Sequence, residues 1–172
     1  TSARVTTKGK REFQYGRIDI RAKLPKGQGL WPALWMLGAN ISQVGWPACG
    51  ETDIMELIGH QPNKVHGTAH WGVQGSGVST YRTGTYTLSD GDFSQAYHVF
   101  SLVWVENSLQ FLVDDQLFHT INVSHVNPAT YRHNAPFFFI ANIAVGGNWP
   151  GAPDASTVFP QSMYVDYIRV FQ

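Results

Sequence analysis

The sequence predicts an all-β domain, a sandwich or barrel of short antiparallel strands. Three observations carry that prediction. Several stretches alternate apolar and polar residues with period two, the mark of strands with one wet face. Gly, Pro, Asn and Asp cluster between those stretches, at intervals of roughly ten residues. The composition is low in charge (14%) and high in aromatics (13%), where an average globular chain is about 25% charged. No stretch has the 3.6-residue period of an amphipathic helix. Neither an internal repeat nor a linker interrupts the 172 residues, which are read as one domain, 1–172.

In chain order, the opening T-S-A-R-V-T-T reads as a strand already under way. From Phe13 to Leu24, Ile18, Ile20, Ala22 and Leu24 alternate with Arg17, Asp19, Arg21 and Lys23, so a strand is expected there. P-K-G-Q-G at 25–29 is a turn. W-P-A-L-W-M-L-G follows, apolar enough to be buried on both faces or to line a cleft, and Pro32 argues against a central strand at that point. Strands are expected over 51–58, 64–71, 81–88, 97–105, 109–113, 116–122, 137–145 and 163–171, with a flexible loop over 74–80. Asn107-Ser108 and Asp114-Asp115 supply hairpin turns.

Twelve basic and twelve acidic residues cancel, so no basic stripe argues for nucleic acid. No apolar run nears the ~18 residues of a membrane span. Cys49 is the one cysteine, which rules out an internal disulfide; between Ala48 and Gly50 it reads as a small buried hydrophobe. The abundant aromatic faces suit an uncharged ligand, since they stack on sugar rings and on bases alike.

The stretch C-G-E-T-D-I-M-E-L-I-G, 49–59, sets Glu51, Asp53 and Glu56 in a run that otherwise wants burial. On a strand Glu51 and Asp53 share a face, whereas plain alternation sends Glu56 to the other. A β-bulge near Ile54-Met55 would restore it to the first. The two glutamates would then lie about four strand steps apart, ~13 Å. With each side chain leaning inward, their carboxylates would be ~5–7 Å apart, a span that includes the ~5–5.5 Å of a retaining glycosidase. One acid would attack the anomeric carbon and the other would protonate the leaving oxygen, while Asp53 couples to both. Acids on one strand face are more often simply solvated or guard a sheet edge. A shared metal on His66 and His70 is disfavoured, because H-x-x-x-H on a strand sets the imidazoles ~13 Å apart.

These residues carry a resemblance. G-E-T-D-I-M-E is similar to the catalytic signature of glycoside hydrolase family 16. The similarity extends through F-Q-Y-G-R-I-D-I-R-A-K-L-P, G-L-W-P-A-L-W-M-L-G, W-P-A-C-G-E, N-I-A-V-G-G-N-W-P-G and V-D-Y-I-R-V-F-Q, over essentially the whole chain. It implies a β-jelly-roll of two curved antiparallel sheets with a concave cleft. The residue before the last glutamate and the N-I-A-V-G-G-N-W-P-G loop resemble the laminarinase branch most. The implied activity is retaining endo-hydrolysis of internal β-1,3-glucosidic bonds, with Glu51 as nucleophile, Asp53 as helper and Glu56 as acid/base. A galactanase of the agarase or carrageenase type and a non-catalytic glucan-binding module share the fold; the latter characteristically loses the glutamates. Family members carry further strands before the segment matching T-S-A-R-V-T-T, so the resemblance implies a domain incomplete at its N-terminus. No catalytic cofactor is implied. A structural calcium ion is, with Asp166 as its remaining side-chain ligand; the alternative for Asp166 is a pairing with Arg169 or with solvent.

Trp31, Trp35, Trp46, Trp71 and Trp149 are candidate sugar platforms, and Asn148 lies in the same loop as Trp149. Trp104, in F-S-L-V-W-V, reads as core. On the resemblance His70 lies near Glu56, placed to orient it or to meet a sugar hydroxyl. The expected partner is polysaccharide, with neither nucleic acid nor membrane, and the expected form is a secreted, extracellular monomer.

Overall fold

The computed structural model describes residues 2–127 and 129–172. The strands in chain order are β1 (Arg4–Thr6), β2 (Gly16–Lys23), β3 (Leu30–Gly38), β4 (Glu51–Glu56), β5 (Lys64–Gly72), β6 (Ser79–Thr87), β7 (His98–Val105), β8 (Ser108–Val113), β9 (Gln116–Asn122), β10 (Phe137–Val145) and β11 (Tyr164–Phe171). They form two antiparallel sheets, one ordered β1-β10-β3-β4-β5-β6 and the other β11-β2-β7-β8-β9. A short α-turn, α1 (Ile41–Val44), precedes β4. No helix among the described residues is long and apolar enough to cross a membrane.

Alternation explains the layering. Ile18, Ile20 and Ala22 of β2 turn inward with Phe100, Leu102 and Trp104 of β7 and Leu109, Phe111 and Val113 of β8. They meet Leu34 and Met36 of β3, Val65, Ala69 and Trp71 of β5, and Phe137 and Phe139 of β10. Each of the buried Val, Leu, Ile, Phe and Met side chains contributes about 1.5–3 kcal/mol, and this shared layer fixes one sheet on the other. On the opposite face of the six-stranded sheet, Leu37, Cys49, Phe138 and Ile140 pack beneath Ile41 and Val44 of α1. That small cluster closes one end of the outer face and leaves the rest open.

Several boundaries differ from expectation for identifiable reasons. The strand expected from Phe13 begins at Gly16, because Tyr15 and Gly16 both take positive φ (63° and 108°). Phe13 instead bridges to Phe137 in the other sheet. Pro32 does lie inside β3, between β10 and β4. Its carbonyl accepts from the Leu57 amide at 3.1 Å, and a residue's N–H and C=O point to the same side of a strand. The missing N–H therefore faces the chain just beyond Glu56, where one bond is forgone while the Leu57 and Gly59 amides still bond to Pro32 and Leu30. The Asp114-Asp115 hairpin has both residues at positive φ, 48° and 63°, as a type I′ turn requires. The preceding turn is Glu106-Asn107, one residue earlier than expected, with Val105 opposite Ser108. The loop expected over 74–80 gives way to β6 at Ser79.

Candidate active site

Strand β4 has neighbours on both sides, β3 and β5. Against β3, Asp53 pairs with Trp35 and Met55 with Leu34, which leaves Ile54 without an opposite number. Against β5, Asp53 pairs with Thr68 and Glu56 with His66, so the register shifts there as well. This is the expected bulge. It lets Ile54 and Met55 both enter the core, at 2% and 0% exposure, and turns Glu56 to the face that already carries Glu51 and Asp53. Gly50, at φ 80°, leads into the strand; a Cβ there would lie 2.9 Å from the Phe137 ring and 3.0 Å from Arg132 Cβ, so only glycine lets the chain enter β4 this close to β10.

The open outer face forms a cleft that crosses the strands. On one side of the acids it is lined by Arg4, Trp35, Asn142 and Ala144. On the other it is lined by His66, Thr68, His70, Tyr81, Thr83, Thr85 and Trp149. Trp31, Glu51 and Glu56 border both halves. The acids thus stand midway along a groove that extends to either side of them.

The electrostatics follow from burial. Glu51 is pushed up to about 7, mainly by desolvation and then by the charge of Glu56; a hydrogen bond from the Trp46 side chain and the charge of Arg4 oppose the rise. Glu56 is also pushed up to about 7 by desolvation, with the Trp31 indole opposing. Asp53, 3% exposed, is held well above the usual carboxylate range by burial and by both glutamates. Burial lowers His70 and His66, so both rings favour the neutral form. Close carboxylates that cannot all ionise are the setting for one acid and one base at a common pH.

Supporting contacts hold the acids in place. Trp31 Nε1–H donates to Glu56 Oε1 at 2.9 Å. His70 Nε2 lies 3.5 Å from Asp53 Oδ2 and 4.0 Å from Glu51 Oε1. Beneath the strand the fully buried His133 donates from Nε2 to the Glu51 carbonyl at 2.9 Å, and burial drives its pKa down to about 4. Sequence reading missed His133, Arg4, Asn142 and the threonines. The β5–β6 threonines were accessible to it, since Thr68 shares a face with His66 and His70 by alternation; Arg4 and Asn142 reach the cleft only through the β1–β10 pairing.

Other expected site residues divide. Trp31, Trp149 and His70 line the cleft, and Trp46 is 46% exposed with its ring 6.2 Å from that of His70. Trp35 borders the cleft, but the Arg4 guanidinium lies 4.8 Å over its ring and its N–H is bound to Asn142 Oδ1; it anchors a wall more than it offers a free face. Trp71 is a correction. It is 1% exposed and packs edge-on to Tyr131 and His133, because it follows His70 and alternation turns it into the core. Asn148 is exposed in its loop and lines neither half of the cleft. Asp166 pairs with Arg21 at 2.6 Å, not with Arg169. Among the described residues no cluster of three His, Cys, Asp or Glu ligands forms around it, so a calcium ion at that carboxylate would have to displace the guanidinium. Cys49 is buried with its thiol pushed up to about 11, which suits core and not nucleophile.

Raised carboxylates on one strand of a β-sandwich, set midway along an indole-lined cleft, define a domain of the glycoside hydrolase class. More specifically, the chain belongs to the glycosyl hydrolases family 16, whose family model matches residues 1–169. It is similar to the laminarinase catalytic domain from Thermotoga maritima MSB8, with 52% identity and a TM-score of 0.89 over 97% of this chain and 67% of that one. It is 40% identical over 181 residues to glucan endo-1,3-beta-glucosidase A1 of Niallia circulans, a match that takes in 100% of this chain and 26% of that protein. It is 39% identical to the beta-glucanase of Rhodothermus marinus, over 100% of this chain and 62% of that protein. The chain therefore spans between about a quarter and two thirds of the length of these two relatives.

Proposed function

We propose that this domain hydrolyses internal β-1,3-glucosidic bonds of β-glucans, with retention at the anomeric carbon. The observation that carries the reading is the bulge at Ile54, which gathers Glu51, Asp53 and Glu56 on one face of β4 at the middle of an open cleft. A groove open on both sides of the reacting pair suits attack inside a polymer. Glu51 attacks the anomeric carbon and forms the glycosyl-enzyme. Glu56 protonates the leaving oxygen, then takes a proton from water as that water releases the sugar. Asp53, buried beside them, helps to keep one proton shared among three acids. The Trp31 and Trp149 rings, 5.3 Å apart and nearly perpendicular, offer apolar faces and edges to pyranose rings.

The β-1,3 linkage is supported by the names of the similar proteins, two of which are called laminarinase or endo-1,3-beta-glucosidase. A polymeric substrate fits action outside the cell by a monomer, on polysaccharide and not on nucleic acid or membrane. Release of reducing ends from laminarin, lichenan and agarose, with Glu51→Gln as control, tests the reading, and proton NMR of the first product reads the anomer. Laminarin cleaved with a β-anomer first is the expected result. Glucan bound but cut no faster than by Glu51→Gln would leave a binding module, and preference for agarose would make it a galactanase.

A further inference from the structure

His70 stands between two of the three acids. Its Nδ1 lies 3.2 Å from Ser79 Oγ, which orients the ring, and burial favours the neutral imidazole. With the proton on Nδ1, the lone pair of Nε2 is open to a cation. It faces Asp53 Oδ2 at 3.5 Å and Glu51 Oε1 at 4.0 Å. Asp53 Oδ2 is enclosed and has no hydrogen-bond partner, in a residue 3% exposed. Three ligand atoms from three residues thus lie within 4.8 Å of one another, facing one point, where a cation would displace the proton that burial favours on the acids.

We propose that this point is an inhibitory site for a borderline divalent cation, Zn²⁺ or Cu²⁺, ligated by His70 Nε2, Asp53 Oδ2 and Glu51 Oε1. One imidazole and two carboxylates suit those ions, whereas Mg²⁺ and Ca²⁺ prefer all-oxygen shells. Zinc bonds of ~2.0–2.2 Å to nitrogen and oxygen set tetrahedral ligand atoms about 3.3–3.5 Å apart. The His70–Asp53 distance of 3.5 Å already fits. Glu51, on the cleft side with 19% side-chain exposure, closes the rest by a small rotation. The fourth position opens to the cleft and is left for water. Ser79 orients the imidazole from its far nitrogen, as outer-shell partners do in metal sites. This is not a site bridging the two cleft histidines, because His66 turns its own Nδ1 to Thr85. A cation held here occupies the oxygen that the proposed mechanism needs for attack, so it blocks cleavage and competes with glucan. That last consequence rests on the hydrolase reading; the binding itself does not.

The test is titration of the metal-free chain in a non-chelating buffer, with Zn²⁺ followed by calorimetry and Co²⁺ by visible absorption. One ion per chain is expected, with a four- or five-coordinate Co²⁺ band. Ser79→Ala should weaken binding about 10–100-fold, His70→Phe and Asp53→Asn by at least as much, and His66→Phe should leave it unchanged. Mg²⁺ at the same concentration should neither bind nor compete. Thermal melts establish that each variant folds, and if one of His70→Phe and Asp53→Asn does not, the other decides. Equal Zn²⁺ affinity in the wild type and the folded variant, or no binding at submillimolar Zn²⁺, overturns the site. His70-dependent binding by a chain that never cleaves laminarin would keep the site and discard the enzyme reading.

Discussion

Trp31 donates its indole N–H to Glu56 Oε1 across 2.9 Å, joining a cleft wall on β3 to the last acid of β4. The bond favours the ionised carboxylate and so holds Glu56 below where burial alone would put it. Trp31→Phe keeps the ring and removes the donor. A hydrogen bond to a charged group contributes about 1.5–3 kcal/mol, and each pKa unit corresponds to ~1.4 kcal/mol. With Glu56 as proton donor, the protonated form should persist to higher pH, moving the alkaline limb of kcat/KM on laminarin up by about one unit. A pH–rate profile checks this, and an unmoved limb would take the donor role away from Glu56.

Glu51 should trade stability for chemistry. Its pKa is about 7 in the folded chain against 4.5 for the free side chain. A group raised in this way gives its full contribution to stability below the unfolded value and loses it as pH rises through the folded one. The loss between pH 4.5 and pH 7 is on the order of 3 kcal/mol by linkage. Glu51→Gln carries no such charge. It should lose hydrolysis almost entirely, yet melt above the wild type at pH 8, with the gap closing towards pH 4. Calorimetric melts at the two pH values measure it. A Gln variant less stable than the wild type at both would mean that the carboxylate is not strained by its setting.

Two tryptophans that the sequence offers alike as sugar platforms should behave oppositely. Trp71 is enclosed and Trp149 is 41% exposed at the cleft. Trp71→Ala leaves a cavity worth about 3–5 kcal/mol, so Tm should fall by on the order of 10 °C. Trp149→Ala should barely move Tm but weaken binding of laminari-oligosaccharides about 3–10-fold, in line with the ~0.5–1.5 kcal/mol of an aromatic contact. Thermal melts and oligosaccharide titrations of the two variants separate the roles; matching Tm losses would place Trp149 in the core.

How much of this was legible in the sequence follows from the range of each signal. Period two is local, so the strands and the co-facial pair Glu51–Asp53 could be read directly, and so could the burial of Ile18 and Ile20. The bulge was legible because Glu56 made sense only with it. Trp71 went wrong where composition overruled alternation: an indole beside His70 looked like a platform, while its place in the strand turned it inward. Pro32 was misjudged because its nitrogen faces the end of β4, where the Leu57 and Gly59 amides still tie the two chains together, and where β4 ends depends on tertiary pairing. Arg4, Asn142 and His133 were illegible for the same reason. Their places come from β1–β10 pairing and from a segment more than 80 residues away in sequence from Glu51 packing under it, and no local pattern encodes either.

Glu56 reaches the cleft only because β4 carries one residue more than its neighbours pair with, and that count can be changed in both directions. Deleting Ile54 leaves E-T-D-M-E, in which plain alternation again sets all three acids on one face, the glutamates still about four steps or ~13 Å apart along the backbone. The cost is one buried aliphatic side chain, about 2–5 kcal/mol. Inserting an alanine after Ile54 is different. If the bulge persists, Glu56 turns into the core and strands a carboxylate there; if the strand regularises, the glutamates stand six steps or ~20 Å apart, too far to act on one bond. The deletion variant should therefore melt earlier yet keep measurable release of reducing ends, while the insertion variant should fall to the level of Glu51→Gln. Melts and laminarin assays on the two chains decide it. A folded, inactive deletion beside an active insertion would show that the facing of these acids does not govern the chemistry.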